Sequence, residues 1–176
     1  MNRYIALLRG INVGGHKKIL MADLKLLFEK LKFKNVQTYI QSGNVIFHST
    51  ESNSGKLEKM IKNQILVDYG FEVPILVKTP SEIKSILNEC PFKEEKKENS
   101  YFTLLHPSPE DELIELTNKI SYPNEEFLVT KSCVYFYSST GYGNVKCNNN
   151  FFEKKLGVSS SSRNFRTLSK LIELSS

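Results

Sequence analysis

An α+β fold built from two tandem βαββαβ units, with antiparallel sheets and an extra C-terminal helix, is predicted by three observations. Two successive halves carry the same order of β-rich runs and amphipathic stretches, each half ends in a strand followed by one more helical segment, and a charged stretch poor in apolar residues separates them. In the first half, the apolar run Arg3 to Arg9 stops at Gly10 and predicts a buried strand. After the loop Gly10 to Lys18, apolar residues at Met21, Leu24, Leu27, Phe28 and Leu31 follow the 3.6-residue period of a helix with one buried face. Val36 to Ile40 and Val45 to His48 flank Gln41-Ser42-Gly43-Asn44, which predicts a hairpin with Gly43 at positive φ. Leu57, Met60, Ile61 and Ile65 mark a second helix closed by Gly70, and Val73 to Lys78 a fourth strand. Thr79-Pro80-Ser81-Glu82 then opens a short helix through Leu87: Thr caps, Pro suits the first helical position, and Glu stands three residues after the cap.

Residues 91–99, containing Lys93-Glu94-Glu95-Lys96-Lys97-Glu98, read as a charged linker between a first unit, 1–90, and a second, 100–176. In the second unit Tyr101 to His106 reads as a strand, and Ser108-Pro109-Glu110-Asp111 opens a helix whose apolar face is Leu113, Leu116 and Ile120. Glu126 to Thr130 and Cys133 to Tyr137 form a hairpin, Asn148 to Leu156 a helix closed by Gly157, and Val158 to Ser162 a weak strand. A last helix begins close to Asn164 and carries Leu168, Leu171 and Ile172 on one face. The repeated order is that of the ferredoxin-like motif, with both helices on one face of the sheet and the two central strands expected to run parallel. The same reading starts both helices at one end of the sheet and places the turn between the second and third strands at the other, so Ser42 and Asn44 are expected to be remote from Lys17.

Composition limits the function classes. The chain has 176 residues, 24 Lys+Arg against 19 Asp+Glu for a charge of +5, and 40% hydrophobic residues, which excludes collagen-like, coiled-coil and disordered readings. A body of this size hides roughly 70% of its unfolded surface and needs no staple. Cys90, Cys133 and Cys147 lack a C-x-x-C spacing, and His16, His48 and His106 are scattered, so neither metal nor other cofactor is expected. Tyr4 to Leu8 is too short for a signal-peptide core and nothing approaches a membrane span, so the expected compartment is the cytoplasm, with no membrane partner. A pI of about 9.0 leans towards acidic partners.

Three motifs resemble a known family. Arg9-Gly10-Ile11-Asn12-Val13-Gly14-Gly15 after the first strand, Tyr39-Ile40-Gln41-Ser42-Gly43-Asn44-Val45 at the first hairpin, and Arg163-Asn164-Phe165 with Thr167 are similar to the bacterial family known as domain of unknown function 1697. The resemblance runs over nearly the whole chain and implies a duplicated ferredoxin-like fold; it implies no activity. This chain departs from the family's usual residues at His16 (Lys), Leu20 (Pro) and Phe165 (Trp).

The candidate ligand-binding residues are Arg9, Asn12, Gly14, Gly15, Lys18, Ser42, Asn44, Lys146, Arg163 and Asn164. A glycine-rich loop running into a helix start can hold an anion on free N–H groups, although this loop is neither G-x-G-x-x-G nor a Walker loop; alternatively the glycines serve only to turn the chain. Helix starts favour acids, yet Lys17 and Lys18, Lys146, and Arg163 with Arg166 put cations at three of them. A bound anion would relieve that conflict, as would solvation or a protein carboxylate. The Ser42 to Asn44 turn has a local reading too, its polar side chains satisfying nearby backbone. One site shared by Arg9, Lys18, Arg163 and Asn164 is a further expectation. Tyr135 and Tyr137, with Tyr101, could form an aromatic face that stacks RNA bases or packs in an interface. The leading function is therefore a module binding a nucleotide, phosphorylated small molecule or nucleic-acid phosphate. The alternatives are an enzyme acting on a phosphorylated small molecule, with Arg9, Lys18 or Arg163 as phosphate clamps, and a protein-interaction scaffold.

Overall fold

The computed structural model describes all residues, Met1–Ser176. The chain divides into two compact units, one comprising Met1–Lys84 and Lys170–Ser176, the other Ser85–Ser169.

The first unit runs β1 (Asn2–Leu8), α1 (Met21–Lys30), β2 (Lys34–Tyr39), β3 (Asn44–Ser49), α2 (Ser54–Tyr69) and β4 (Ile75–Lys78), followed by α3 (Pro80–Asn88), in which the division falls. Its sheet has the order β2-β3-β1-β4 with every neighbouring pair antiparallel. The central strands β1 and β3 are therefore antiparallel, correcting the parallel expectation: Asn2 faces Ser49 and Leu7 faces Asn44. The physical reason is the tight hairpin, which reverses β3 against β2, while the α1 crossover makes β2 run with β1. One sheet face, Tyr4, Ala6 and Leu8 with Val45 and Phe47, packs against Leu24, Leu27 and Phe28 of α1 and Leu57, Ile61 and Ile65 of α2. The opposite face, including Ile5, Leu7, Ile46 and Leu76, is buried too. That double burial is why β1 reads as a continuous apolar run rather than an alternating one. Gly70 closes α2 at φ +75° as the sequence predicts, and at its other end Asn53 accepts from the Lys56 N–H as the cap. In α3, Thr79 and Glu82 satisfy each other's backbone N–H at 3.2 and 2.7 Å, a reciprocal capping box.

The second unit holds α4 (Glu94–Glu98), β5 (Tyr101–His106), α5 (Asp111–Asn118), β6 (Glu125–Val129), β7 (Cys133–Ser138), α6 (Asn149–Leu156) and β8 (Ser159–Asn164), with the start of α7 (Phe165–Leu174). Its sheet, β6-β7-β5-β8, is again wholly antiparallel. The segment 91–99, expected as a linker, lies inside this unit. Its residues form a short helix held by the Tyr142 hydroxyl bonded to the Asn99 carbonyl at 2.6 Å, and Lys96 pairs with Glu126 at the surface. The residues Lys170–Ser176, expected with the second unit, belong to the first, where the Arg3 guanidinium donates to the Ser175 carbonyl.

Two apolar faces differ from expectation. In α5, Leu116 is 53% exposed, whereas Thr117 is buried and the half-buried Leu113 and Ile114 pack against the core. The Thr117 hydroxyl donates to the Leu113 carbonyl at 2.7 Å, which satisfies its polar atom locally. In the sheet, Tyr101 stands opposite Phe136, and Phe102 opposite Tyr135, so Tyr101 shares no face with Tyr135 and Tyr137. Tyr135 is fully buried, its hydroxyl donating to the Ile86 carbonyl at 2.9 Å, and burial above all raises its pKa.

Candidate functional site

At its C-terminal end β1 is gripped from both sides: the Leu8 N–H bonds the Gly43 carbonyl at 2.8 Å and the Arg9 N–H bonds the Pro74 carbonyl at 3.0 Å. The β2–β3 turn therefore lies at the same end of the sheet as the glycine loop, not at the opposite one. Because β2 runs with β1, both strands end together, which overturns the expected separation of Ser42 and Asn44 from the loop.

The loop from Gly10 to Lys18 is a miniature hairpin. Val13 and His16 bridge, with the His16 N–H on the Val13 carbonyl at 3.0 Å, and the two central residues Gly14 and Gly15 have φ of +57° and +77°. Two consecutive positive φ angles suit a two-residue hairpin turn, and glycine supplies them without Cβ strain. Asn12, at φ +55°, locks the base: its carboxamide donates to the Ile19 carbonyl (2.9 Å) and the Gln41 carbonyl (3.0 Å) and accepts from the Ile19 N–H (2.9 Å). The Lys17 ammonium donates to the Glu72 carbonyl at 2.7 Å. Across the gap, the buried Asn44 carboxamide donates to the Tyr39 carbonyl and the Ser42 hydroxyl, both at 3.0 Å. Ile40 adopts φ +49°, which is strained for a β-branched side chain.

Between loop and turn is a cavity of about 350 Å³ lined by Asn12, Gly15, Lys18, Ile19, Leu20 and Gln41. Helix α1 starts at its wall with Leu20 as N-cap, which contributes no side-chain hydrogen bond. Lys18 is exposed at this wall and bonded to no other group of the chain, unlike Lys17. The structure thus brings Asn12, Gly15 and Lys18 together, with Ser42 and Asn44 in the adjoining turn and Gly14 at the tip of the loop. Arg9 follows β1 directly and is not part of the lining. Gln41, whose chain position gave it no chemical signature beyond the turn, completes the cavity; the hairpin spacing could have found it had the strand directions been followed through.

In the second unit the chain supplies its own answers to two basic helix starts. The Glu125 carboxylate accepts the N–H of Lys146 at 2.7 Å and of Cys147 at 2.9 Å, just before α6, while the Lys146 ammonium lies 5.3 Å from the centre of the Tyr122 ring. Desolvation opposes ionisation of Glu125, but those N–H bonds outweigh it and hold its pKa below the ordinary value. Asn164 accepts the Thr167 N–H at 2.8 Å and caps α7. Arg163 is buried, its guanidinium donating to the Ser161 hydroxyl (3.1 Å) and the Ser162 carbonyl (2.8 Å), and burial lowers its pKa to about 10. It therefore remains a cation at neutral pH. No group of three or more His, Cys, Asp or Glu residues is placed to hold a metal ion, and no helix is long and apolar enough to cross a membrane.

The fold class is thus an α+β protein with two four-stranded antiparallel sheets and seven helices. Residues 1–135 match the family described as protein of unknown function (DUF1697), and the chain belongs to that family. It is similar in structure to the conserved bacterial protein SP0830 from Streptococcus pneumoniae, with a TM-score of 0.78 and 22% identity over 99% of this chain and 98% of that one, a likeness of fold. No curated protein matches the chain.

Proposed function

We propose that the protein is a cytoplasmic binding module of two ferredoxin-like units, the first of which takes a small anionic ligand, a nucleotide or phosphorylated small molecule, beside its glycine loop. The fold part is supported by the βαββαβ order within each half and by the strand orders β2-β3-β1-β4 and β6-β7-β5-β8. Free thiols, two of the three buried, fit a reducing compartment.

The observation that carries the binding part is the cavity of about 350 Å³ in which Lys18 is the one titratable lining residue and its ammonium is uncommitted. Around that charge stand the Gln41 side chain and the backbone of Gly15, where a Cβ would meet open space and a ligand can approach closely, while Asn12 holds the loop in place. Leu20, 71% exposed, offers an apolar rim suited to the organic part of a phosphorylated molecule. A lining with one titratable group lacks an acid–base pair, which favours binding over turnover.

The test is thermal melting with inorganic phosphate, adenosine monophosphate and a hexose phosphate at matched ionic strength. A ligand at about 100 times its Kd stabilises by about 2.7 kcal/mol, a shift of several degrees. At least one probe should give that shift in the native chain and lose it in Lys18→Gln. Flat melting with all three, or a shift that survives Lys18→Gln, overturns the reading.

A further inference from the structure

We propose that a second cavity, within the unit Ser85–Ser169, is a recognition site for an organic ammonium group, and that Lys96 is its built-in, displaceable occupant. The cavity holds about 570 Å³, in the range of small-molecule sites, and its walls include the rings of Phe92 and Tyr137 and the side chains of Glu95 and Glu126. Lys96, from α4, places its ammonium 5.5 Å from the Phe92 ring centre, 5.1 Å from that of Tyr137 and 2.6 Å from a Glu126 carboxylate oxygen. The chain itself thus displays the chemistry this concavity accepts: a cation against two ring faces, with a carboxylate balancing its charge.

Sheet register fixes one side of the wall, and the fold of α4 does not depend on the occupant's side chain. Glu126 and Tyr137 are direct cross-strand partners on β6 and β7, so sheet register sets their spacing. The frame around α4 is held by backbone-directed bonds, from the Ser100 hydroxyl to the Lys96 carbonyl at 2.6 Å and from the Asn99 carboxamide to the Glu95 carbonyl at 2.9 Å. Neither bond uses the Lys96 side chain, which can leave without dismantling the frame. That side chain is 36% exposed and Glu126 56%, so water screens their pairing. Withdrawal of Lys96 leaves Glu95 and Glu126 against Lys93 alone, a lining of net negative charge. A methylated ammonium, less strongly hydrated than a lysine head, suits the two rings better than the resident does.

The experiment titrates tetramethylammonium chloride, against matched sodium chloride, into the full chain by calorimetry. Lys96→Gln should bind it about tenfold tighter than the native chain, and adding Tyr137→Leu or Glu126→Gln to Lys96→Gln should lose at least that gain. Circular dichroism verifies the fold of each, and Glu126→Gln, at an exposed position, keeps the test decisive if Tyr137→Leu unfolds. A second arm uses a peptide bearing trimethyllysine: tighter binding than the free ion assigns a lysine side chain as the source, equal binding a free small amine. Failure of Lys96→Gln to gain affinity for either probe, or a gain that survives both wall substitutions, overturns the site. Phosphate probes do not enter this test, so its failure is independent of the Lys18 cavity.

Discussion

Asn12 and Gln41, 29 positions apart, are joined by a 3.0 Å hydrogen bond from the Asn12 carboxamide to the Gln41 carbonyl, which ties the glycine loop to the β2–β3 turn. The same carboxamide makes two more bonds to the Ile19 backbone. Asn12→Ala removes all three and leaves a residue poorly suited to φ +55°, so it should cost about 2 to 4 kcal/mol, read as a lower urea midpoint. Lys18→Gln should stay within about 0.5 kcal/mol of the native chain, since its ammonium holds nothing in the fold. Equal effects of the two substitutions would contradict the division of labour between them.

Gly43 sits where no side chain fits. At φ +82°, an added Cβ would lie 2.7 Å from the Leu8 Cβ and 2.9 Å from the Ile11 Cδ1. Gly43→Ala should therefore cost well over the roughly 1 to 2 kcal/mol of positive φ alone, whereas Gly141→Ala, at φ +87° with nothing within 4 Å, should cost only that backbone increment. Thermal midpoints of the two variants give the comparison.

Glu125 makes stability depend on acid. Its folded pKa lies below the ordinary 4.5, so its contribution is complete above that value and is lost as pH falls through the lowered folded pKa. Glu125→Gln keeps one acceptor and no charge. Its melting temperature should fall furthest below that of the native chain near neutrality, and the gap should narrow below pH 4.5. A gap that is constant from pH 7 to pH 3 would remove the role assigned to the carboxylate.

The thiols should react unequally. Cys133 and Cys147 are buried, and burial, followed by the hydrogen bond to Glu125, raises the Cys147 pKa to about 12. Cys90 is half-buried, and burial raises its thiol pKa too, so accessibility is what sets it apart. A thiol reagent at pH 8 should label one cysteine per folded chain ahead of the others and all three in denaturant, with mass mapping placing the first label on Cys90.

The sequence legibly encoded what is local. Helix α2 could be placed from its apolar period and Gly70, and α3 from Thr79 and Glu82, because a cap and a buried stripe are settled within one turn of chain. The glycines of the loop were legible as turn formers for the same reason. The α5 face is not legible at Leu116 because helical spacing admits several neighbouring stripes, and packing on the sheet selects one. The candidate site was legible in Asn12, Gly15 and Lys18 but not in Gln41.

What the sequence by itself determined is the order of strands and helices, the charge and the cations placed at helix starts. Tertiary structure alone decided that β2 runs with β1, so that loop and turn end together around Lys18. It alone supplied Glu125, 21 positions before Lys146, as the carboxylate at a basic helix start, and set Tyr137 beside Glu126 across a strand pair. The physical reason is that strand direction, sheet register and long-range carboxylate placement are properties of pairs of segments, fixed by the burial of both at once, and no single stretch of residues carries them.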